Sequence, residues 1–189
     1  MCKTFSAILT KSEELIFHPE FTDSHEDLLR TLNMFDNGES FVRLEFCPTG
    51  NDYADLKSYK LKVDQRVRPG WFDEHVEKRV FEKLYSRVKR MIVIKDRNIL
   101  LGGCWILVGK ICVDQLQNCR IINAGSSTIE YVESSTIINA ESSTIKYAEL
   151  STIINAESST IEYAGSSIIM NAGSSTIKNA ESSTVVNKY

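Results

Sequence analysis

Residues 126–189 read S-S-T-I-E-Y-V-E (126–133), S-S-T-I-I-N-A-E (134–141), S-S-T-I-K-Y-A-E (142–149), L-S-T-I-I-N-A-E (150–157), S-S-T-I-E-Y-A-G (158–165), S-S-I-I-M-N-A-G (166–173), S-S-T-I-K-N-A-E (174–181) and S-S-T-V-V-N-K-Y (182–189). So short and regular a period marks a stacked β-solenoid, whose repeats bury their apolar side only against one another. One position is apolar in every copy: Ile129, Ile137, Ile145, Ile153, Ile161, Ile169, Ile177 and Val185. The next splits by parity, with Glu130, Lys146, Glu162 and Lys178 in alternate copies and Ile138, Ile154, Met170 and Val186 in the others. The one after splits as well, Tyr131, Tyr147 and Tyr163 against Asn139, Asn155 and Asn171. The structural unit is therefore sixteen residues, a coil of two short strands with two different outer faces.

Side chains alternate sides along a strand, so an inward Ile137 predicts an inward Ser135 and outward Thr136 and Ile138. The interior becomes a narrow stack of Ser, Ile and Ala, the alanines at 124, 140, 148, 156, 164, 172 and 180 leaving room for a methyl group only. Turns are expected at Asn or Tyr with the neighbouring Glu or Gly. Equivalent residues on adjacent coils stand about 4.8 Å apart, so Glu130, Lys146, Glu162 and Lys178 form a ladder of alternating sign. The opposite face presents Ile122, Ile138, Ile154, Met170 and Val186, joined by Ile168 where other copies have Thr. An apolar row of this length predicts an interface; the bland alternative is β-branched residues kept for strand propensity. Along the corners, Glu133, Glu149 and Glu181 follow the tyrosine edge, and Glu141 and Glu157 mark the other corner. That acidic, aromatic edge either imitates nucleic-acid phosphate to a basic protein or serves solubility and corner geometry.

Carried backwards, the register puts Val113 and Ile121 inward and Asp114 and Ile122 outward, so the solenoid is expected to start near Lys110. Residues 98–120 then form an apolar seam and the first solenoid strands, with Gly102-Gly103 and Gly109 as breaks and Ile99 to Val113 placed to cover the core. Before it, 1–97 reads as a small α+β domain. Asp23 or Ser24 can cap a helix over His25 to Met34, with Leu28, Leu29, Leu32 and Phe35 on one face. Asn37-Gly38 is a break, Phe41 to Phe46 and Tyr59 to Val63 alternate as strands, and Pro69-Gly70 turns into a helix over Phe72 to Arg90. Val76, Val80, Phe81, Leu84, Val88 and Met91 form its apolar stripe.

Charge is segmental. The net −3 divides into −5 over 1–65, +5 over 66–97, +1 over 98–120 and −4 over 121–189. On the helix opposite its stripe stand Arg79, Lys83, Arg87 and Arg90, with Lys78 and Lys89 beside them, few of them neutralised at i,i+4 spacing. This is either a contact for phosphate or an acidic protein, or a solvated face. Basic 66–97 carries the alternative expectation of nucleic-acid binding, although no RNP-like aromatic pattern, zinc knuckle or helix-turn-helix pair accompanies it. Cys2, Cys47, Cys104, Cys112 and Cys119 lack metal spacing and read as free thiols. His18, His25 and His75 stand beside no nucleophile, no glycine loop cradles phosphate, and no cofactor or metal is expected. No apolar run is long enough to span a bilayer and no leader is recognisable, which predicts a cytoplasmic protein with no membrane partner.

The S-S-T-I-K-N-A-E-S-S-T pattern at 174–184 and its neighbours resemble octapeptide-repeat proteins of bacteria and phages, and distantly the octad-within-sixteen repeats of bacterial ice-nucleation proteins. The resemblance covers about 121–189 and implies the solenoid fold. Ice-nucleation repeats display outward T-x-T arrays; here the pairs are T-x-E, T-x-K and T-x-I. The pentapeptide repeat of DNA-mimicking solenoids is absent. The expectation is a non-enzymatic protein-binding module that forms a homodimer and, by analogy, inhibits a host defence system such as a CRISPR nuclease.

Overall fold

The computed structural model describes residues 5–34, 39–140, 142–156, 158–170 and 172–186. Cys2, Phe35, the Asn37-Gly38 break, Glu141, Glu157, Asn171, Lys188 and Tyr189 lie outside the described residues. The chain forms two compact units, Met1–Arg90 and Met91–Tyr189.

In the first unit, strands β1 (Ser6–Thr10), β2 (Leu15–Ile16), β3 (Phe41–Cys47) and β4 (Lys60–Val63) make an antiparallel sheet in the order β2-β1-β3-β4. Helix α1 (His25–Thr31) is capped by Ser24, whose side chain accepts from the Asp27 N–H. Its Leu28 and Leu29 join Ile8, Ile16 and Phe41 in one core cluster. Helix α2 (Glu74–Met91) starts at Asp73, which accepts from the Val76 N–H at 2.9 Å. That bond holds the Asp73 carboxyl below its usual range. On the other side of β3, Phe46 meets Phe81 of α2 edge-on at 5.4 Å and Tyr59 at 5.1 Å. Burial pushes the Tyr59 phenol up. The two central strands are thus covered on both faces, and β1 is buried from Ser6 to Leu9 without alternation.

From Ile92 onward the second unit is a parallel β-solenoid. One sheet has seven strands, Ile92–Val93, Cys104–Leu107, Arg120–Asn123, Thr136–Asn139, Thr152–Asn155, Ile168–Met170 and Thr184–Val186. The other has six, Arg97–Leu101, Cys112–Gln117, Thr128–Glu133, Thr144–Glu149, Thr160–Gly165 and Thr176–Asn179. After the first pair of the seven-stranded sheet, neighbouring strands pair sixteen residues apart, as in Ile129 with Ile145 and Ile137 with Ile153. The solenoid therefore begins well before Lys110. Its early coils keep the spacing, Arg97 opposite Val113 and Leu100 opposite Leu116, while losing the consensus residues. The spacing departs from sixteen in the seven-stranded sheet, where Ile92 faces Ile106 fourteen residues on and a bulge between Trp105 and Ile106 shifts the register.

The inward column is fully buried from Val113 and Ile121 through Ile129, Ile137, Ile145, Ile153, Ile161 and Ile169. Each side chain so buried contributes roughly 1.5–3 kcal/mol. The second inward column narrows along the chain: Leu100, Leu116 and Val132, then Ala148 and Ala164. Ile129 and Val132 are both inward although three residues apart, so the strand bends at Glu130–Tyr131 and leaves both of those side chains outside.

The inward serines solve the polar problem of this interior. Ser135, Ser151 and Ser167 are almost wholly buried. Each hydroxyl accepts an N–H from the preceding coil: Cys119 to Ser135 at 3.0 Å, Ser135 to Ser151 at 3.3 Å, Ser151 to Ser167 at 3.2 Å, and Ser167 to Ser183 at 3.1 Å. Each also donates to the carbonyl two residues back, as Ser151 does to Glu149 at 2.7 Å. Cys119 replaces serine at the head of this column with its sulfur near the Leu100, Gly102 and Gln117 carbonyls, and burial pushes its thiol up. At the same corner the backbone is left-handed in every coil, at Gly102, Asn118, Ser134, Leu150, Ser166 and Ser182. At this corner the left-handed residue is thus the one opening the octad and not the expected Asn, while at the other corner the expected glycine is left-handed at Gly125 and Gly173.

Ser151→Ala leaves the buried Ser135 N–H without its acceptor and should lower stability by about 1–3 kcal/mol; an unchanged chemical-denaturation midpoint would contradict the column's role. Leu150, 66% exposed, holds φ 50°, a conformation that costs a branched residue about 1–2 kcal/mol. Leu150→Asn should raise the melting temperature by about 2–4 °C.

Candidate interaction surfaces

The seven-stranded sheet carries the predicted apolar row. Its Thr column points outward beside it, so Ile138, Ile154 and Met170 are half-buried by their own neighbours, while Ile168 and Val186 are 46% and 44% exposed. Ile122 departs from the expectation: it takes the outward parity but is only 3% exposed, covered within the chain and withdrawn from any interface. The available row runs from Ile138 to Val186. Parallel sheets ordinarily have both faces covered, and this one leaves an apolar face bare over its last coils. At its edge Asn155 Nδ2 donates to Asn139 Oδ1 at 2.9 Å and Asn139 Nδ2 to the Ile122 carbonyl at 3.1 Å, which locks these coils in register.

The six-stranded sheet carries the charge ladder. Lys146 Nζ reaches Glu130 Oε1 at 2.5 Å, and Lys178 Nζ reaches Glu162 Oε1 at 3.0 Å. The Glu130 bond, with Glu162 assisting, pushes the Lys146 ammonium up. Beside the ladder the tyrosines stack, Tyr131 on Tyr147 at 5.0 Å and 10°, while Tyr163 tilts to 48°. Tyr163 donates to Glu181 at 3.1 Å, which raises its phenol. Gly165 permits that tilt, since a Cβ there would stand 3.2 Å from the Tyr163 ring.

On α2 the predicted cations do not form one cluster. At 100° per residue Arg79, Lys83, Arg87 and Arg90 fall along one flank of the buried stripe. Lys78 falls on the other, lining a groove with Tyr59, Lys60, Leu61, Glu74, Glu77 and Phe81. Arg79 is tied to Glu13 at 2.5 Å. Lys83 and Arg90 are exposed and Arg87 half-buried, and among the described residues no carboxylate pairs with these three. The predicted solvated helix face is therefore only partly neutralised.

His25 is the functional-looking side chain that sequence alone placed beside nothing. It is buried, with Nε2 2.9 Å from the Leu44 carbonyl and Nδ1 3.2 Å from Asp64 Oδ2. Its partners come from β3 and the end of β4, residues remote in sequence that only the sheet brings together. Among the described residues, no group of three or more His, Cys, Asp and Glu is arranged to hold a metal ion, and no helix is long and apolar enough to cross a membrane.

Lys146→Glu would set Glu130, residue 146 and Glu162 side by side with like charge. It should lower the melting temperature by about 1–3 °C, with the loss shrinking in molar salt; a salt-independent loss would mean that Lys146 acts through packing.

Compared with family models, curated proteins and solved structures, the chain matches none of them.

Proposed function

We propose that this protein is a non-enzymatic protein-binding module whose contact surface is the apolar row Ile138, Ile154, Ile168, Met170 and Val186. The observation that carries this reading is the bare apolar face on a parallel sheet. A flat row with constant spacing is complementary to a second copy of itself, and closed two-fold pairs are the commonest assemblies. A homodimer through this face is accordingly the favoured state. The structural employment of the chemically versatile groups supports a non-enzymatic reading: His25 bonds through both ring nitrogens, and Cys119 takes a serine's place. By analogy with other compact repeat-bearing proteins, such a module would serve as a phage or mobile-element inhibitor of a host defence system, a CRISPR nuclease for example.

A second reading rests on Lys83, Arg87 and Arg90, which α2 sets in a row without described carboxylate partners. In it, this flank meets nucleic-acid phosphate. Affinity for a random duplex would then fall steeply with salt, with a log–log slope of about −2 to −3 for three contacts.

Ile138→Lys with Ile154→Lys should turn a dimer into a folded monomer in sedimentation analysis. A wild-type chain that sediments as a monomer at high micromolar concentration would overturn the dimer.

A further inference from the structure

We infer that the groove over Tyr131 and Tyr147 binds an arginine-bearing segment of a protein partner. The inference concerns the six-stranded sheet and stands apart from the apolar face on the other. The groove, about 270 Å³, is lined by Gln115, Gln117, Tyr131, Glu133, Tyr147 and Glu149 together with the edges of Leu116 and Val132. The two rings are 49% and 43% exposed. Gln117 Nε2 donates to Glu133 Oε2 at 2.9 Å and so orients one carboxylate. The Glu149 carboxylate and the Tyr131 and Tyr147 hydroxyls have no hydrogen-bonding partner among the described residues. One coil further on the tyrosine column is closed, because Tyr163 leans over Gly165 and is engaged by Glu181.

The lining selects its ligand by chemistry. No lysine or arginine lines the groove itself, and Lys146, which lies near Tyr131, is held by Glu130. An anion therefore meets two carboxylates, the tyrosines and the Gln115 and Gln117 amides but no unpaired cation. A cation meets both of the attractions it can use, the quadrupole of Tyr131 on the side away from its stack with Tyr147 and charge-assisted hydrogen bonds. Guanidinium suits the pair better than ammonium, since its plane lies against a tyrosine while its fork reaches a carboxylate. Free arginine brings a single guanidinium and an α-carboxylate that Glu133 and Glu149 repel, which offsets the pull on its α-ammonium. Arginine within a chain lacks that carboxylate. Glu133 and Glu149 face one another on adjacent coils, about 4.8 Å apart, so one extended segment reaches both carboxylates.

Capped hexa-arginine, capped hexa-lysine and free arginine, titrated against the full chain by calorimetry at physiological salt, test the inference. Hexa-arginine should bind about fivefold or more tightly than hexa-lysine, and free arginine more weakly than either. Tyr147→Leu and Glu149→Gln should each weaken hexa-arginine about three- to tenfold. Glu130→Gln, on the neighbouring ladder, should leave it unchanged. Circular dichroism confirms that each variant is folded, and Glu149→Gln, which alters no buried atom, keeps the test decisive if Tyr147→Leu unfolds. Equal affinity for the two peptides, or wild-type binding by both variants, would assign the attraction to general acidity and overturn the inference. A change of oligomeric state in Glu149→Gln would assign the groove to α2 of a second copy and overturn it too.

Discussion

A buried hydroxyl that is both donor and acceptor governs the solenoid. Each coil turns two corners through an interior only wide enough for Ile, Ala and Ser, where an unpaired amide costs as much as a sizeable apolar contact gains. The serine at 135, 151 and 167 takes the N–H of the coil before it and returns its own proton to a carbonyl of its own turn. The bonds repeat only if coils stack sixteen residues apart, so polar satisfaction and apolar burial demand the same register. The left-handed residue beside each of these serines is part of the same device, since it brings the turn carbonyl within reach of the hydroxyl.

An interior so fully specified leaves the outside free to vary. Beside a threonine column common to both, the outward positions on the two sheets diverge, one toward isoleucine and the other toward paired charges and tyrosine, without disturbing the inward columns. The protein thus holds two chemically unlike faces on one scaffold, each repeating at the coil spacing. The departures from strict repetition are equally local: Gly165 releases one tyrosine from its stack, and Ile122 is drawn out of the exposed row.

The sixteen-residue coil, the inward isoleucines and the two-faced parity were legible because identical residues recur at identical positions. The earlier coils were not, because the larger interior there replaces Ala with Leu100, Leu116 and Val132 and puts Gly102 and Asn118 where serine later stands, so spacing survives while identity does not. Strand β1 escaped notice for a different reason: Ser6 to Leu9 are all buried, and the period-two signal disappears when both faces are covered. The basic helix was visible as a composition, but the separation of Lys78 from the Arg79–Arg90 flank is a matter of angle and of what neighbouring strands bring up. The His25–Asp64 contact and the Tyr131–Tyr147 groove depend on register between elements, the first across a sheet and the second around a bend that sequence alternation does not foresee.

The inward side of the repeat has half the period of the outward side. Seen from the core, one octad is nearly interchangeable with the next, so a nascent chain that skipped a single strand would still find Ile against Ile and Ser against Ser. What such a threading error loses is the amide-to-hydroxyl bonding of the 135, 151 and 167 column, since the serines of the other corner donate to alanine carbonyls instead. It also loses the order of the surface: isoleucine would land between Glu and Lys, and the asparagine column would face tyrosine. The outward residues of the two faces therefore favour the correct register of the fold, and replacing them to change what the surface offers would also change the fidelity with which the coils find their place.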